Sequence, residues 1–169
     1  MSIKQFNGEW VSREDRVLFR FNTHEDQEFS FWLTRCVLKG LLEGATKLNV
    51  QALERVHTPQ VAQVVQSFRQ ESVVQQLNFN ETFQPAKQKP MGQEPVLVTG
   101  LHLNHQGGKV TLKLDLVSGQ SVQMQMTPEV VQVMLALLDK LQGVAQWGVG
   151  LQTDAEPVMP AQSGPRVVH

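Results

Sequence analysis

From Ile3 to Phe21 apolar and polar residues alternate in two runs, one around Trp10–Val11 and one at Val17, Phe19 and Phe21, separated by the charged stretch Arg13-Glu14-Asp15-Arg16. Successive side chains of a strand point to opposite faces, so this pattern predicts a β-hairpin. Val17, Phe19 and Phe21 belong on its buried face, Leu18 and Arg20 on the other, with Arg20 toward solvent. From about His24 the period changes. Arg35, Lys39, Glu43 and Lys47 recur every four residues, while Phe29, Leu33, Cys36, Val37, Leu41, Ala45 and Leu48 cover the opposite side. That spacing predicts a long helix from about His24 to Lys47. Thr23 would cap it, and Glu25, Asp26 and Glu28 would place negative charge at the positive end of its dipole. Gly40 and Gly44 lie on its apolar side, where each costs roughly 1 kcal/mol relative to alanine. Either another element approaches closely there, or the helix ends near Gly44.

Thr58-Pro59 starts a second helix, because threonine caps well and a proline at the first helical position lacks only a hydrogen that would have had no partner. It should run to about Leu77. Val61, Val64, Val65 and Phe68, continued by Val73, Val74 and Leu77, form its expected inner stripe; Gln60, Gln63, Gln66 and Gln70 face water. Pro85, Pro90, Gly92 and Pro95 then mark a crossing loop from Asn78, with Phe79 and Phe83 as anchors.

Alternation returns from Leu97 to Met126, and here it defines register. Val110, Leu112, Leu114 and Leu116 share one face of a strand, and Val122, Met124 and Met126 one face of the next. A two-residue turn at Ser118-Gly119 would put the two sets on opposite faces. A three-residue loop, Val117-Ser118-Gly119 with Gly119 in the left-handed conformation, pairs Leu116 with Gln120, Leu114 with Val122, Leu112 with Met124 and Val110 with Met126. The same parity makes His105-Gln106-Gly107-Gly108 a four-residue loop, with Leu103 opposite Val110, Leu101 opposite Leu112 and Leu97 opposite Leu116. Thr127-Pro128-Glu129 opens a third helix to about Leu141, closed by Gly143. Val130, Val131, Met134, Leu135, Leu138 and Leu141 face inward; Glu129, Gln132, Ala136, Asp139 and Lys140 face outward. The expected fold is one α+β domain over residues 1–147, an antiparallel sheet made of the N-terminal hairpin and a C-terminal three-stranded meander packed against three helices. Glycines and prolines beyond Gly148 predict a disordered tail over 148–169.

Composition adds constraints rather than chemistry. Fifteen basic residues against sixteen acidic ones leave a net charge of −1, and no long run of like charge occurs. No broad attraction to nucleic acid or acidic lipid is expected. Much of the polar surface falls to 21 glutamines, so it is weakly charged and prone to association. The single cysteine excludes an internal disulfide and any multi-cysteine metal site. Without a basic segment leading into an apolar one, or an apolar run of membrane-spanning length, a cytoplasmic location is expected.

Candidate catalytic or metal-ligating groups are sparse. His102 and His105 fall on different faces of a strand and turn, with no cysteine or acid nearby in sequence to complete a metal site. Cys36 is expected to be a small core residue rather than a nucleophile, which would need access and a depressed pKa. Gly107-Gly108 lies in a hairpin and lacks the helix N-terminus that would hold a phosphate. Glu25, Asp26 and Glu28 are explained by the helix dipole without catalysis. Arg13, Arg16, Arg20 and Arg35 have too few aromatic platforms beside them for a nucleic-acid site. No catalytic residue, cofactor or metal is expected.

The long helix is the feature that asks for a partner. Phe31, Trp32, Leu38 and Leu42 widen its apolar sector beyond what one sheet covers, and Trp32 beside Arg35 is a composition favoured in interface hot spots. These five residues are either part of a large aromatic core or an interface, most simply a homodimer. The blocks Phe29-Ser30-Phe31-Trp32-Leu33-Thr34-Arg35, Pro95-Val96-Leu97-Val98-Thr99 and Gly119 to Thr127 resemble those of small proteobacterial proteins with no assigned activity. That resemblance spans most of residues 16 to 142 and implies no functional residues. The expected function is therefore non-enzymatic: binding a protein partner or a second copy of the chain. A small-ligand binder or enzyme with a pocket between helix and sheet is the alternative, and weak nucleic-acid binding a third.

Overall fold

The computed structural model describes residues 2–54, 57–76 and 82–148, with the side chains of residues 52, 70 and 73–76 outside the description. The expected tail from 149 onward, Phe79, and the inner positions assigned to Val73, Val74 and Leu77 all lie outside the described residues. Six strands and three helices follow in the order β1 (Ile3–Val11), β2 (Arg16–Thr23), β3 (Glu28–Thr34), α1 (Arg35–Glu54), α2 (Pro59–Gln76), β4 (Val96–Gln106), β5 (Lys109–Leu116), β6 (Ser121–Met126) and α3 (Pro128–Val144). The class is α+β, as the periodicities imply.

The strands make one sheet in sequence order, β1 to β6. It is mixed. Every neighbouring pair is antiparallel except β3 and β4, which run parallel through Phe31–Val96 and Trp32–Leu97. A parallel join needs a long crossover, and the chain from α1 through α2 supplies it. The expected hairpin and meander are therefore both present, but an additional strand and this join fuse them into a single sheet.

That additional strand corrects the expected helix from His24. Thr23 closes a turn instead of capping a helix: its carbonyl accepts from the Asp26 N–H, its hydroxyl from the Gln27 N–H, and Asp26 takes a positive φ of 58°. Phe29, Phe31 and Leu33 then alternate along β3 opposite Phe21, Phe19 and Val17. Three phenylalanines on adjacent strands pack together, with Phe21 and Phe29 stacked at 5.0 Å and Phe21 and Phe31 tilted at 6.0 Å. The helix begins only at Arg35, where the four-residue polar repeat begins, and the Thr34 hydroxyl accepts from the Val37 N–H at its start.

Helices α1 and α3 cover one face of the sheet, and α2 packs on both helices as an outer layer. At Gly44 a Cβ would stand 2.8 Å from Leu103 Cδ1, and at Gly40 3.5 Å from Leu101 Cδ2, so these glycines mark where α1 crosses β4 closely. The core collects Val17, Phe19, Phe31, Leu33, Leu38, Leu41, Leu112, Leu114, Met124, Met134 and Leu138, all buried.

The β5–β6 register is the expected one: Leu114–Val122, Leu112–Met124 and Val110–Met126, with Gly119 at φ 81°. The β4–β5 hairpin differs. Gly107 and Gly108, at φ 59° and 76°, make a two-residue turn, setting Gln106 opposite Lys109, Leu103 opposite Leu112 and Leu101 opposite Leu114. This slides β4 by two residues relative to the expected pairing, which keeps Leu101 and Leu103 on their expected face. An irregularity between Val98 and Gly100 then changes the parity, so Val98 and not the expected Leu97 lies opposite Leu116 and is buried, while Leu97 pairs with Trp32.

Helix α3 is capped by the Thr127 hydroxyl with Pro128 at its first turn, and runs past the expected stop at Gly143 to Val144. Gln132 and Ala136, expected outside, are buried because α2 lies over that side.

Candidate functional site

The five residues singled out on the sequence do not share one helix face. Phe31 and Trp32 lie on β3, with Phe31 buried in the core and Trp32 half-buried on the sheet face away from the helices. There the Arg16 guanidinium stacks over the Trp32 ring at 3.9 Å. Leu38 and Leu42 are buried under α1. Arg35, at the start of α1, donates through Nη2 to the Trp147 carbonyl at 2.5 Å. The breadth of apolar sequence between Phe29 and Leu42 is thus shared between a strand and a helix, each covered on its own inner face.

Other expectations shift with β3. Cys36 is exposed, since α1 starts one residue before it and buries Val37, Leu38, Leu41 and Leu42 instead. Glu28 is a buried strand carboxylate that accepts from the Ala86 N–H at 3.2 Å and the Ser30 hydroxyl at 3.4 Å, with Lys89 Nζ at 3.5 Å. Arg20 is not simply solvated: it donates to Asn7 Oδ1 and lies over the Phe83 ring at 4.8 Å, because the segment around Phe83 crosses that face. His102 pairs with Asp115, whereas His105 turns toward the helices, so the two histidines stand apart. Among the described residues no group of three or more His, Cys, Asp or Glu could hold a metal ion, and no helix is long and apolar enough to cross a membrane.

Among the described residues, three of the five exposed large apolar side chains lie on α2, and Val117 and Val144 stand elsewhere. The expected orientation of α2 is overturned in part: Val61, Val64 and Phe68 are 45, 69 and 72% exposed and Gln66 is buried with Ala62 against the neighbouring helices, whereas Val65 is half-buried and Gln60 and Gln63 face water as expected. The spacing of 61, 64 and 68 puts the three on one stripe of the helix. An amide pair joins its inner face to α3. Gln66 Nε2 donates to Gln132 Oε1 at 3.4 Å and Gln132 Nε2 donates back to Gln66 Oε1 at 3.1 Å, so two buried glutamines satisfy each other between α2 and α3. With Ala62 at 0% exposure one turn earlier, α2 sits close on its partners through a small residue and a polar one.

Beside that pair a cleft of about 530 Å³ opens between α1, α2 and the start of α3. Asn49, Gln66 and Gln132 line it as buried amides, Leu53, Phe68 and Pro128 give it apolar wall, and Arg69, Glu129 and His105 stand around it. Asn49 is 7% exposed, and its Nδ2 has no hydrogen-bond partner among the described residues. The Glu129 carboxyl is held below its usual range by the Thr127 hydroxyl and by its own backbone N–H, with the Arg69 charge adding to the effect. Sequence periodicity does not place this cleft, because Gln66 and Gln132 read as wet-side residues and Asn49 lies beyond the predicted end of the first helix.

Comparison with protein-family profiles, curated proteins and solved structures found no match to this chain.

Proposed function

We propose that this protein is a non-enzymatic interaction domain that pairs with a second copy of itself through the outer face of α2. The observation carrying this is the stripe of Val61, Val64 and Phe68, three large apolar side chains exposed on a helix whose opposite face is occupied by a satisfied polar pair. Covering each such side chain is worth about 1.5–3 kcal/mol. A two-fold axis passing near Val64 brings Val61 of one copy against Phe68 of the other in an antiparallel helix pair, so the stripe is complementary to itself. The α2 sequence contains one basic and one acidic residue, Arg69 and Glu71, so two copies meet without like-charge repulsion. That scarcity of basic residues also argues against α2 lying on a membrane surface, where such helices are rich in Lys and Arg on their polar face.

Three apolar side chains per copy make a small interface, so the equilibrium should depend on concentration. Sedimentation of the full chain over a concentration series tests this. A monomer–dimer equilibrium is expected, and Val61→Glu/Val64→Glu should abolish it with little change in stability, since both side chains are exposed. A monomer at every concentration, or a dimer that survives the double substitution, overturns the proposal.

A further inference from the structure

We infer that the cleft between α1, α2 and α3 is a binding site for a small neutral molecule carrying a carbonyl or amide oxygen on an apolar body. The cleft shares one residue, Phe68, with the α2 stripe, while Val61 and Val64 stand outside it, so substituting those two separates the site from self-association.

The first support is the orphaned donor. A buried N–H without a partner costs about 1–3 kcal/mol, so a side chain such as Asn49 is held at a cost unless something accepts from it. Leucine would fill a similar volume at that helix position without the penalty. Asn49 Nδ2 can only donate, so the atom that completes it is an acceptor: an oxygen or an unprotonated ring nitrogen.

The second support is the balance of charge. Arg69 and Glu129 both line the cleft, and they set one positive against one negative group at its edge. A carboxylate ligand would gain from Arg69 and lose to Glu129, and an ammonium the reverse; an uncharged ligand avoids both conflicts. Third, Leu53, Phe68 and Pro128 supply apolar wall, and a volume of about 530 Å³ lies within the range of small-molecule sites. The reciprocal Gln66–Gln132 bonds satisfy those two amides and leave Asn49 Nδ2 as the buried amide donor of the lining without a partner among the described residues.

Phenylacetamide is a suitable probe, with phenylacetate and phenethylamine as its anionic and cationic counterparts. Each is titrated into the nitrogen-labelled full chain while the side-chain amide signals of Asn49, Gln66 and Gln132 are followed. Phenylacetamide should shift these signals saturably, and the two charged analogues should bind at least about tenfold more weakly. Asn49→Leu should remove the response while leaving the remaining backbone spectrum in place, and Asn49→Asp, which replaces the donor by an acceptor in the same shape, should do the same. Val61→Glu/Val64→Glu should leave the titration unchanged, so loss of dimerisation and loss of binding are read separately. Absence of a saturable shift with phenylacetamide overturns the site. Equal binding of all three probes, or binding that survives Asn49→Leu, overturns the assigned chemistry.

Discussion

Asp115 shows how a side chain on the water-facing side of the meander is held by its neighbours. Lys113 Nζ lies 3.1 Å from Oδ1 and His102 Nε2 lies 2.9 Å from Oδ2, across the β4–β5 pair. The hydrogen bond from Lys113, and then that from His102, holds the Asp115 carboxyl below its ordinary value despite some opposing desolvation. The folded state thus binds a proton here less readily than the unfolded chain does. The stabilisation is fully present above the ordinary aspartate range and is lost as pH falls through the lowered folded value. Asp115→Asn should therefore lower the melting temperature slightly at neutral pH. The gap from the native protein should close below about pH 4, as both chains come to carry an uncharged group there. Thermal unfolding of the two proteins across an acid series measures it. A gap that stays constant with pH would mean that the pair contributes nothing through charge. Such pairs were not visible in the sequence, because His102 and Asp115 are far apart along the chain and meet only through the two-residue turn at Gly107-Gly108.

At the scale of elements, legibility followed how completely a pattern identified its own partner. The β5–β6 register was readable because two aliphatic sets had to share a face and one glycine could take the left-handed turn. Strand β3 was not read, although Phe29, Phe31 and Leu33 alternate, because the same residues also fit the long apolar side of the helix that follows. The aromatic run Phe29 to Trp32 and the start of the four-residue polar repeat at Arg35 together would have placed the boundary. For α2 the apolar spacing places Val61, Val64 and Phe68 on one stripe but not its direction, since a stripe can face a partner outside the fold as well as the core. The contact to α3 is Gln66 with Gln132, two residues assigned to wet faces. Gln66→Leu or Gln132→Leu alone leaves the other amide buried and unpaired and should cost about 1–3 kcal/mol, while the double substitution should cost clearly less than the sum. Urea unfolding of the four proteins gives the coupling. Additive costs would show that the pair does not determine how α2 docks.

Across the whole molecule, the sheet grows from β1 to β6 in sequence order, so its two edge strands are far apart in the chain, although Ile3 of β1 and Met126 of β6 line one cavity. The structure ties them back together through α3, which packs along β1 and carries Leu141 onto Gly8, where a Cβ would stand 2.3 Å from Leu141 Cδ1. Trp147 completes this closure. Its indole is 3% exposed, its Nε1 donates to Asp15 Oδ1 at 2.6 Å in the first hairpin turn, and its carbonyl receives Arg35 from the start of α1. One residue thus links the β1–β2 turn, the β3–α1 junction and the end of α3. Nothing in the local sequence announces it, because a lone tryptophan after a helix stop belongs to no periodic pattern and the sequence places Arg35 in an interface instead. If this closure stabilises the fold as a unit, Trp147→Ala should cost about 3–5 kcal/mol, as removal of a buried aromatic does. Trp147→Phe should recover the part due to ring burial while still losing the charge-assisted bond to Asp15, worth roughly 1.5–3 kcal/mol. Asp15→Asn retains an acceptor oxygen but not the charge, so it should fall closer to the native protein than Trp147→Phe does. Hydrogen exchange adds a spatial check: Trp147→Ala should accelerate exchange in both β1 and the end of α3. Acceleration confined to α3 would show that Trp147 only finishes a helix and does not close the molecule.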